Sequence, residues 1–533
     1  MYKRFALQST LAAMLLAGVA MSASAEEPRK GGTINFVAPY GSSFGTLDNQ
    51  ASPATQDEFV TKAIHRRLYA WDGNANKPVL DLATEVSASP DRLTYTYKLR
   101  QDAYFHNDKK MTADDIIDSY KRIMTPGKAY TGARYISAIK GASDYSDGKA
   151  KDIAGLKKID DFTLEITFNE PVNPAFQLMQ PSTVIYPSGE ADKDSFKSHP
   201  IGLGPYKFAE YVPGSRLTVE KWDKFYGADK PHADKINIMI MGEASARDVA
   251  FRNKEVDVSV LGPAQYVAYK NDPELSKNIL EVAEVYTRLV GFNTDFKPFQ
   301  DKRVRQAINY AIDSDLIIKR LGKDKAYRAV SWLPLSSPAF DKAAKPYPYD
   351  PEKAKALLKE AGYPDGFEFE LTATQNESWG LTIVEAIIPM LDKVGIKVKA
   401  KPVEAAVLSE VVPAGDFQSF MWSLESGPDP MTAMQCFYSK TSQSACNYYK
   451  FNNKDFDKLY EAALSAPTEE QKNDLLRQAN NLLQDEAPVW FFNYNKAVMA
   501  YQPWLHGLQP NSAELAIQSY EQLWVDEGVP SGR

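Results

Sequence analysis

Val290-Gly291-Phe292-Asn293-Thr294, continued by Arg303-Val304-Arg305-Gln306-Ala307-Ile308-Asn309-Tyr310-Ala311-Ile312-Asp313, is the stretch whose reading decides the fold. An apolar segment closing on Gly-Phe-Asn-Thr reads as a short buried strand. The run after it spaces Val304, Ala307, Ile308, Ala311 and Ile312 along one face of an amphipathic helix packed on a core. Arg303, Arg305, Gln306 and Asn309 are expected mainly on the remaining surface. The pair reads as a helix laid on a sheet.

The same alternation continues downstream. Asp350-Pro351 opens a helix that Gly362 and Pro364 stop, with cap, first-turn proline and terminal glycine in their usual places. Residues 367–371 read as a strand, 381–393 as a helix and 395–398 as a strand. Strand–helix–strand order from Val290 onward predicts an α/β lobe with a partly parallel sheet. Upstream the period changes to two. Leu93, Tyr95, Tyr97 and Leu99 alternate with polar residues, and residues 162–168 do the same, which predicts half-buried antiparallel strands. Between them Thr112 is placed to cap a helix, with Asp115 at its third position. Residues 31–37, 201–208 and 217–220 read as further strands, and the Gly- and Pro-rich residues 39–45 as a loop.

At 533 residues the chain exceeds what one core serves, so two or more lobes are expected. Composition is globular: 44% hydrophobic, 25% charged and 12% aromatic. The first residues differ. Lys3 and Arg4 lead an apolar run from Leu11 to Met21 that ends on Ala23-Ser24-Ala25, the layout of a secretory signal cleaved after Ala25. That run is too short to span a bilayer. It holds no Cys for lipid attachment, so a free periplasmic protein is expected. Losing Lys3 and Arg4 takes the formal net charge from −7 to −9. An acidic exported chain without a Lys/Arg cluster is a poor partner for nucleic acid or an anionic membrane.

Cys436 and Cys446 are the only cysteines. In an oxidising compartment so close a pair reads as a disulfide worth about 3 kcal/mol by loop-closure entropy. The rival reading, a two-Cys metal site, lacks a neighbouring His. The five histidines (His65, His106, His199, His232, His506) are scattered without HExxH spacing, and no GxSxG elbow or nucleotide-phosphate loop is present. No catalytic residue, metal or cofactor is expected.

Five blocks, in order, resemble solute-binding family 5, the peptide- and oligosaccharide-binding proteins of bacterial ABC importers. They are residues 93–100 with Phe105-His106 and residues 111–115; Gly202-Leu203-Gly204-Pro205-Tyr206; Ala244-Ser245-Ala246-Arg247 with Glu255-Val256-Asp257; the run from Gly291 to Asp313; and Tyr349-Asp350-Pro351 through Gly362-Tyr363-Pro364. The resemblance spans essentially the whole mature chain. It implies an α/β, two-lobed periplasmic binding protein fold closing on a ligand, with an additional mostly β third domain. Residues 26–75, 198–285 and 489–533 would form the first lobe, 76–197 the additional domain and 286–488 the second lobe, after a signal over 1–25.

The resemblance also nominates site residues. Trp422-Ser423-Leu424-Glu425-Ser426-Gly427-Pro428-Asp429-Pro430 is similar to the family loop whose acidic residue holds a peptide's α-ammonium, a role that falls on Glu425, where peptide binders usually carry Asp. A desolvated carboxylate facing an ammonium makes a charge-assisted hydrogen bond stronger than a neutral one. Trp422 reads as a cleft wall or as core, with Ser423 beside it. Trp379 ends a stretch at the C-terminal end of a strand, where α/β folds bind ligands. Dipeptide binders tend to carry an Arg in that stretch; residues 374–379 have no basic residue. Tyr40, Ser52 and Thr55 match positions that contribute backbone and hydroxyl contacts from the first lobe. The implied partners are a small solute, peptide foremost, and the permease subunits of an importer; the chain is expected to act as a monomer. Opine-like conjugates and oligosaccharides are alternative solutes. An exported hydrolase and a periplasmic chaperone are the rivals of another class.

Overall fold

Two segments rich in β-branched and aromatic residues, Ile279–Phe292 and Val489–Tyr501, form the two longest strands of the fold. The structure is a computed structural model that describes residues 27–533, except 39–43, 45, 52–54, 76, 129, 131, 171, 228–230, 376–379, 428, 444–445 and 512–519. The two strands run antiparallel. Residues 279–283 pair with 496–500, the ladder is interrupted between Ala283 and Thr287, and it resumes from Thr287 opposite Tyr494 to Gly291 opposite Val489. Such an irregularity bends a strand pair and increases its twist.

Each half of this ladder carries one lobe. On one side Val489–Tyr501 pairs with Val258–Val260, and the sheet continues through Thr33–Val37, Lys235–Met239, Arg216–Lys221 and Tyr206–Val212. On the other, Ile279–Phe292 pairs with Ser419–Glu425, followed by Phe367–Thr374 and Ile396–Val403, the last three mutually parallel. A single 11-stranded sheet therefore runs through both lobes. The strand expected to end at Gly-Phe-Asn-Thr is thus longer than its apolar end suggests. Its first half interleaves Glu281 and Glu284 with apolar residues, which hid it from a search for apolar runs.

The opening motif has a local explanation. A Cβ at Gly291 would lie 2.5 Å from the Phe420 ring, so only glycine lets the strand pass beneath it. Asn293 Nδ2 donates to the Phe417 carbonyl at 2.9 Å and Thr294 Oγ1 to the Tyr449 carbonyl at 3.1 Å, closing the turn. The next helix is Lys302–Ala311, with Val304, Ala307, Ile308 and Ala311 buried as expected. Arg305 and Asn309 correct the sequence expectation: they are 4% and 1% exposed. Arg305 donates to the Phe299 and Glu486 carbonyls at 2.7 Å each, and Asn309 Nδ2 to the Val489 carbonyl at 3.1 Å. These polar groups are buried because they satisfy carbonyls where the chain enters the second crossing strand.

The additional domain is built on a four-stranded antiparallel sheet of Ala83–Ala88, Thr94–Leu99, Thr163–Thr167 and Leu156–Asp160. Tyr97, Leu99, Leu164 and Ile166 point into a core shared with the helix Ala113–Ile123. Asp115 accepts from the Thr112 N–H at 2.9 Å, the expected start of that helix. The C-terminal tail returns to the first lobe, where Tyr520, Leu523 and Val525 pack with Phe36 and Phe59. Cys436 and Cys446 are joined, with Cα atoms 4.8 Å apart. Reducing this bond is expected to lower unfolding stability by about 3 kcal/mol; guanidinium titrations with and without dithiothreitol measure it.

Candidate ligand-binding cleft

The strand Ser419–Glu425 begins buried and ends in the open, and that gradient builds the site. Phe420 and Met421 are fully buried, Trp422 and Ser423 are half-buried, and Glu425 is exposed. Trp422 pairs with Leu289 and Glu425 with Tyr286, so the strand's end lies against the crossing ladder, next to its interruption. The neighbouring parallel strand Phe367–Thr374 ends on the same side, the side where parallel sheets receive ligands. Trp422 stacks on Tyr448 with centroids 6.3 Å apart at 20° and meets Phe420 edge-on, forming an aromatic wall along this strand.

The segment after Glu425 fixes the position of its backbone. The Ser426 N–H donates to the Val285 carbonyl at 2.8 Å, and Ser426 Oγ lies 2.9 Å from Thr287 Oγ1. Asp429 then accepts from Thr432 Oγ1 at 2.6 Å and starts the helix Pro430–Gln435. The loop is therefore clamped at both ends, on the crossing ladder and on a helix cap. Glu425 itself makes no ion pair among the described residues. Its side chain keeps access to water, yet the surrounding protein raises its pKa above the ordinary 4.5, with the charge of Arg134 acting in the other direction.

Arg134 comes from the additional domain, on the short helix Ala133–Ile136. Its guanidinium lies 4.5 Å from the centre of the Tyr135 ring and donates to the Tyr135 hydroxyl. Burial foremost, and then the charge of Glu425, raise the pKa of Tyr135, while Arg134 acts on both Tyr135 and Tyr448. Glu58 of the helix Thr55–Ile64 also acts on Tyr135 and lies 3.4 Å from Arg67. First lobe, additional domain and second lobe thus each contribute a charged group to one region. A cavity of about 550 Å³ lies further along the second lobe, between Arg92, Tyr95 and Glu170 of the additional domain and Asp429, Tyr460 and Lys472. That volume is in the range of small-molecule sites.

Of the residues nominated from sequence, Trp422, Ser423 and Glu425 share this strand end. Tyr40, Ser52 and Trp379 lie outside the described residues, and Thr55 opens the helix Thr55–Ile64. Arg134, Tyr135 and Tyr448 were missed, because nothing in local spacing marks them; Tyr448 reaches Trp422 within the second lobe, and Arg134 and Tyr135 come from the additional domain. Among the described residues no cluster of three or more metal-ligating side chains exists, and no helix is long and apolar enough to cross a membrane.

A sheet crossing twice between two lobes, with a charged and aromatic cleft at the crossing, defines a two-lobed solute-binding protein. Comparison with known proteins agrees. The family description "Bacterial extracellular solute-binding proteins, family 5 Middle" matches residues 77–445, and the chain belongs to that family. It is 28% identical over 460 residues to heme-binding protein A of Haemophilus influenzae, covering 80% of this chain and 81% of that one. To the dipeptide-binding protein of Escherichia coli it is 27% identical over 452 residues, covering 80% and 82%. The structure of the periplasmic binding protein DppA from Helicobacter pylori with peptide STSA shares the fold at a TM-score of 0.74 and 23% identity, over 94% of this chain and 99% of that one.

The raised pKa of Glu425 carries a sign. The folded state binds this proton more tightly than the unfolded chain, so Glu425 lowers stability at neutral pH, and that loss is relieved as pH falls through its raised value. An amine held by this carboxylate would take the opposite course, its binding weakening over the same range as the carboxylate is neutralised. Calorimetric titration of a peptide between neutral pH and pH 4.5 is expected to show this decline in wild type and none in Glu425→Gln.

Proposed function

We propose that the chain is the periplasmic receptor of an ABC importer, capturing a peptide-like solute between its lobes and presenting it to the permease. The observation that carries this reading is Glu425, an accessible carboxylate without an ion-pair partner among the described residues, standing at the strand end beside the crossing ladder. A carboxylate in partly desolvated surroundings gains most from an incoming ammonium, because the low local dielectric strengthens the pair. Trp422, Ser423, Tyr40, Ser52, Thr55 and Trp379 complete the proposed contact set. Family membership supports the transport role, and a dipeptide-binding relative supports the solute class.

In this reading the chain is exported by cleavage after Ala25, works as a monomer and alters no covalent bond of its guest. The surroundings of Glu425 support a binding role. Its charged and titratable neighbours are Arg134 and Tyr135, and among the described residues Ser423 and Ser426 have no histidine hydrogen-bonded to them to activate a hydroxyl. The first lobe comprises residues 26–75, 198–285 and 489–533, the additional domain 76–197 and the second lobe 286–488. The boundary at 285 falls within the first crossing strand, Ile279–Phe292, and closure turns about it.

The test is mass spectrometry of whatever leaves the protein when it is purified from periplasm and denatured. Recovery of peptides bearing free amino termini is the expected result, and Glu425→Ala is expected to release none while melting, empty, no lower than wild type. Recovery of sugars, or of peptides with blocked amino termini, would contradict the reading.

A further inference from the structure

One ammonium at the crossing ladder is held by groups from both lobes. On its edge away from Ile279–Phe292, the strand Val489–Tyr501 changes neighbour along its length. Residues 493–495 pair with the short strand Ala326–Arg328, and residues 499–501 pair with Val258–Val260. Lys496 stands at the seam between these two neighbours. Across the ladder it faces Ala283, the last rung before the interruption. We propose that Lys496 is a latch across the hinge, which holds the two lobes in one relative arrangement and so sets how readily they part. The proposal rests on the crossing as the hinge of the receptor and goes beyond that reading, because the latch is built from the chain alone.

Lys496 is 8% exposed. Its ammonium lies 3.1 Å from Glu281 and 3.3 Å from the Tyr266 hydroxyl, and it donates to the Asp324 carbonyl at 3.2 Å. It also lies 5.3 Å from the centre of the Tyr266 ring and 4.5 Å from that of Tyr327, within reach of both ring faces. These partners come from different bodies of the fold. Tyr266 belongs to the helix Pro263–Lys270 and packs in a core with Val37, Phe251 and Val498. Tyr327 packs against the core of Trp332, Leu333 and Phe437. Asp324 follows the helix Ser314–Arg320, and its N–H donates to the carbonyl of Ile318, part of the core with Val304 and Trp490. Cores that share no residue thus meet at one buried charge, whose hydrogen bonds are all kept only while the bodies hold their places.

The turn that presents the Asp324 carbonyl is held in an unfavourable form. Lys323 and Asp324 adopt φ of +51° and +60°, the left-handed region that is costly for residues bearing a side chain. Such a conformation persists where its surroundings fix it, and here the carbonyl it offers is bonded to Lys496. Lys270 supplies the contrast. It donates to Glu281 at 2.9 Å and lies over the Tyr266 ring, contacts that stay on the first-lobe side. Because Lys270 and the Tyr266 hydroxyl both donate to Glu281 at 2.9 Å, that carboxylate remains compensated when Lys496 loses its charge.

Pulsed electron resonance on the empty protein tests the latch, with spin labels at Val249 and Val407, exposed positions on the first and second lobes. Lys496→Met keeps an apolar stem against the two tyrosine rings and removes the ammonium. Its inter-lobe distance distribution is expected to broaden relative to wild type. Lys270→Met removes a charge from the same carboxylate without touching the second lobe, and is expected to keep the wild-type distribution. Tyr327→Leu removes a second-lobe contact alone and is expected to broaden the distribution by less than Lys496→Met. An unchanged distribution in Lys496→Met would overturn the proposal. So would equal broadening by Lys270→Met, which would trace the effect to the charge on Glu281 and not to bridging. Should Lys496→Met fail to melt cooperatively, Tyr327→Leu decides in its place, and an unchanged distribution there overturns the latch. With no guest present, each of these outcomes leaves the receptor reading to its own mass-spectrometric test.

Discussion

The antiparallel ladder between Ile279–Phe292 and Val489–Tyr501 is the constraint on which everything else depends. Among the described residues it is the sheet's only route from one lobe to the other, and it is broken in register where the lobes part. Side chains replace the backbone hydrogen bonds lost there. Glu284, 3% exposed, accepts from Asn495, and Lys496 reaches Glu281 at 3.1 Å and the Tyr266 hydroxyl at 3.3 Å. Burial holds Glu284 above the usual carboxylate range and brings Lys325 down to about 8, with the charge of Glu284 pulling that lysine back up. A polar crossing of this kind bends without exposing much apolar surface. The lobes, by contrast, hold separate apolar cores.

Glu425 inherits its position from that ladder. Its strand is the next one over, its backbone partner is Tyr286 inside the interrupted region, and Ser426 ties the loop back to Val285. A change in the crossing therefore moves the carboxylate directly, and in the proposed reading a guest drawn to the carboxylate biases the crossing. This is the reciprocal coupling that a receptor uses to report occupancy through shape.

Much of this was legible in the sequence, and the reasons are specific. The helix Lys302–Ala311, the capped helix Pro351–Glu360 and the parallel strands after it announced themselves through period and punctuation, because one face of each is buried. The paired strands Thr94–Leu99 and Thr163–Thr167 showed the alternation of a sheet wet on one side. The burial of Arg305 and Asn309 was not legible: their partners are backbone carbonyls about 180 residues away, which no local pattern encodes. The full length of the crossing strands was hidden by their polar halves. In the site, the loop from Trp422 to Asp429 was readable as a motif, whereas Arg134 was not. It comes from the additional domain, a part of the chain nearly 300 residues away.

In the proposed reading the crossing ladder is the hinge, and the two lobes close about it when a guest bridges the cleft. Spin labels at Val249 on the first lobe and Leu464 on the second, both well exposed, report the inter-lobe distance by pulsed electron resonance. With a bound peptide the distance distribution is predicted to shorten and narrow relative to the empty protein. The same distribution with and without peptide, under conditions where binding is measured on the labelled protein, would contradict it.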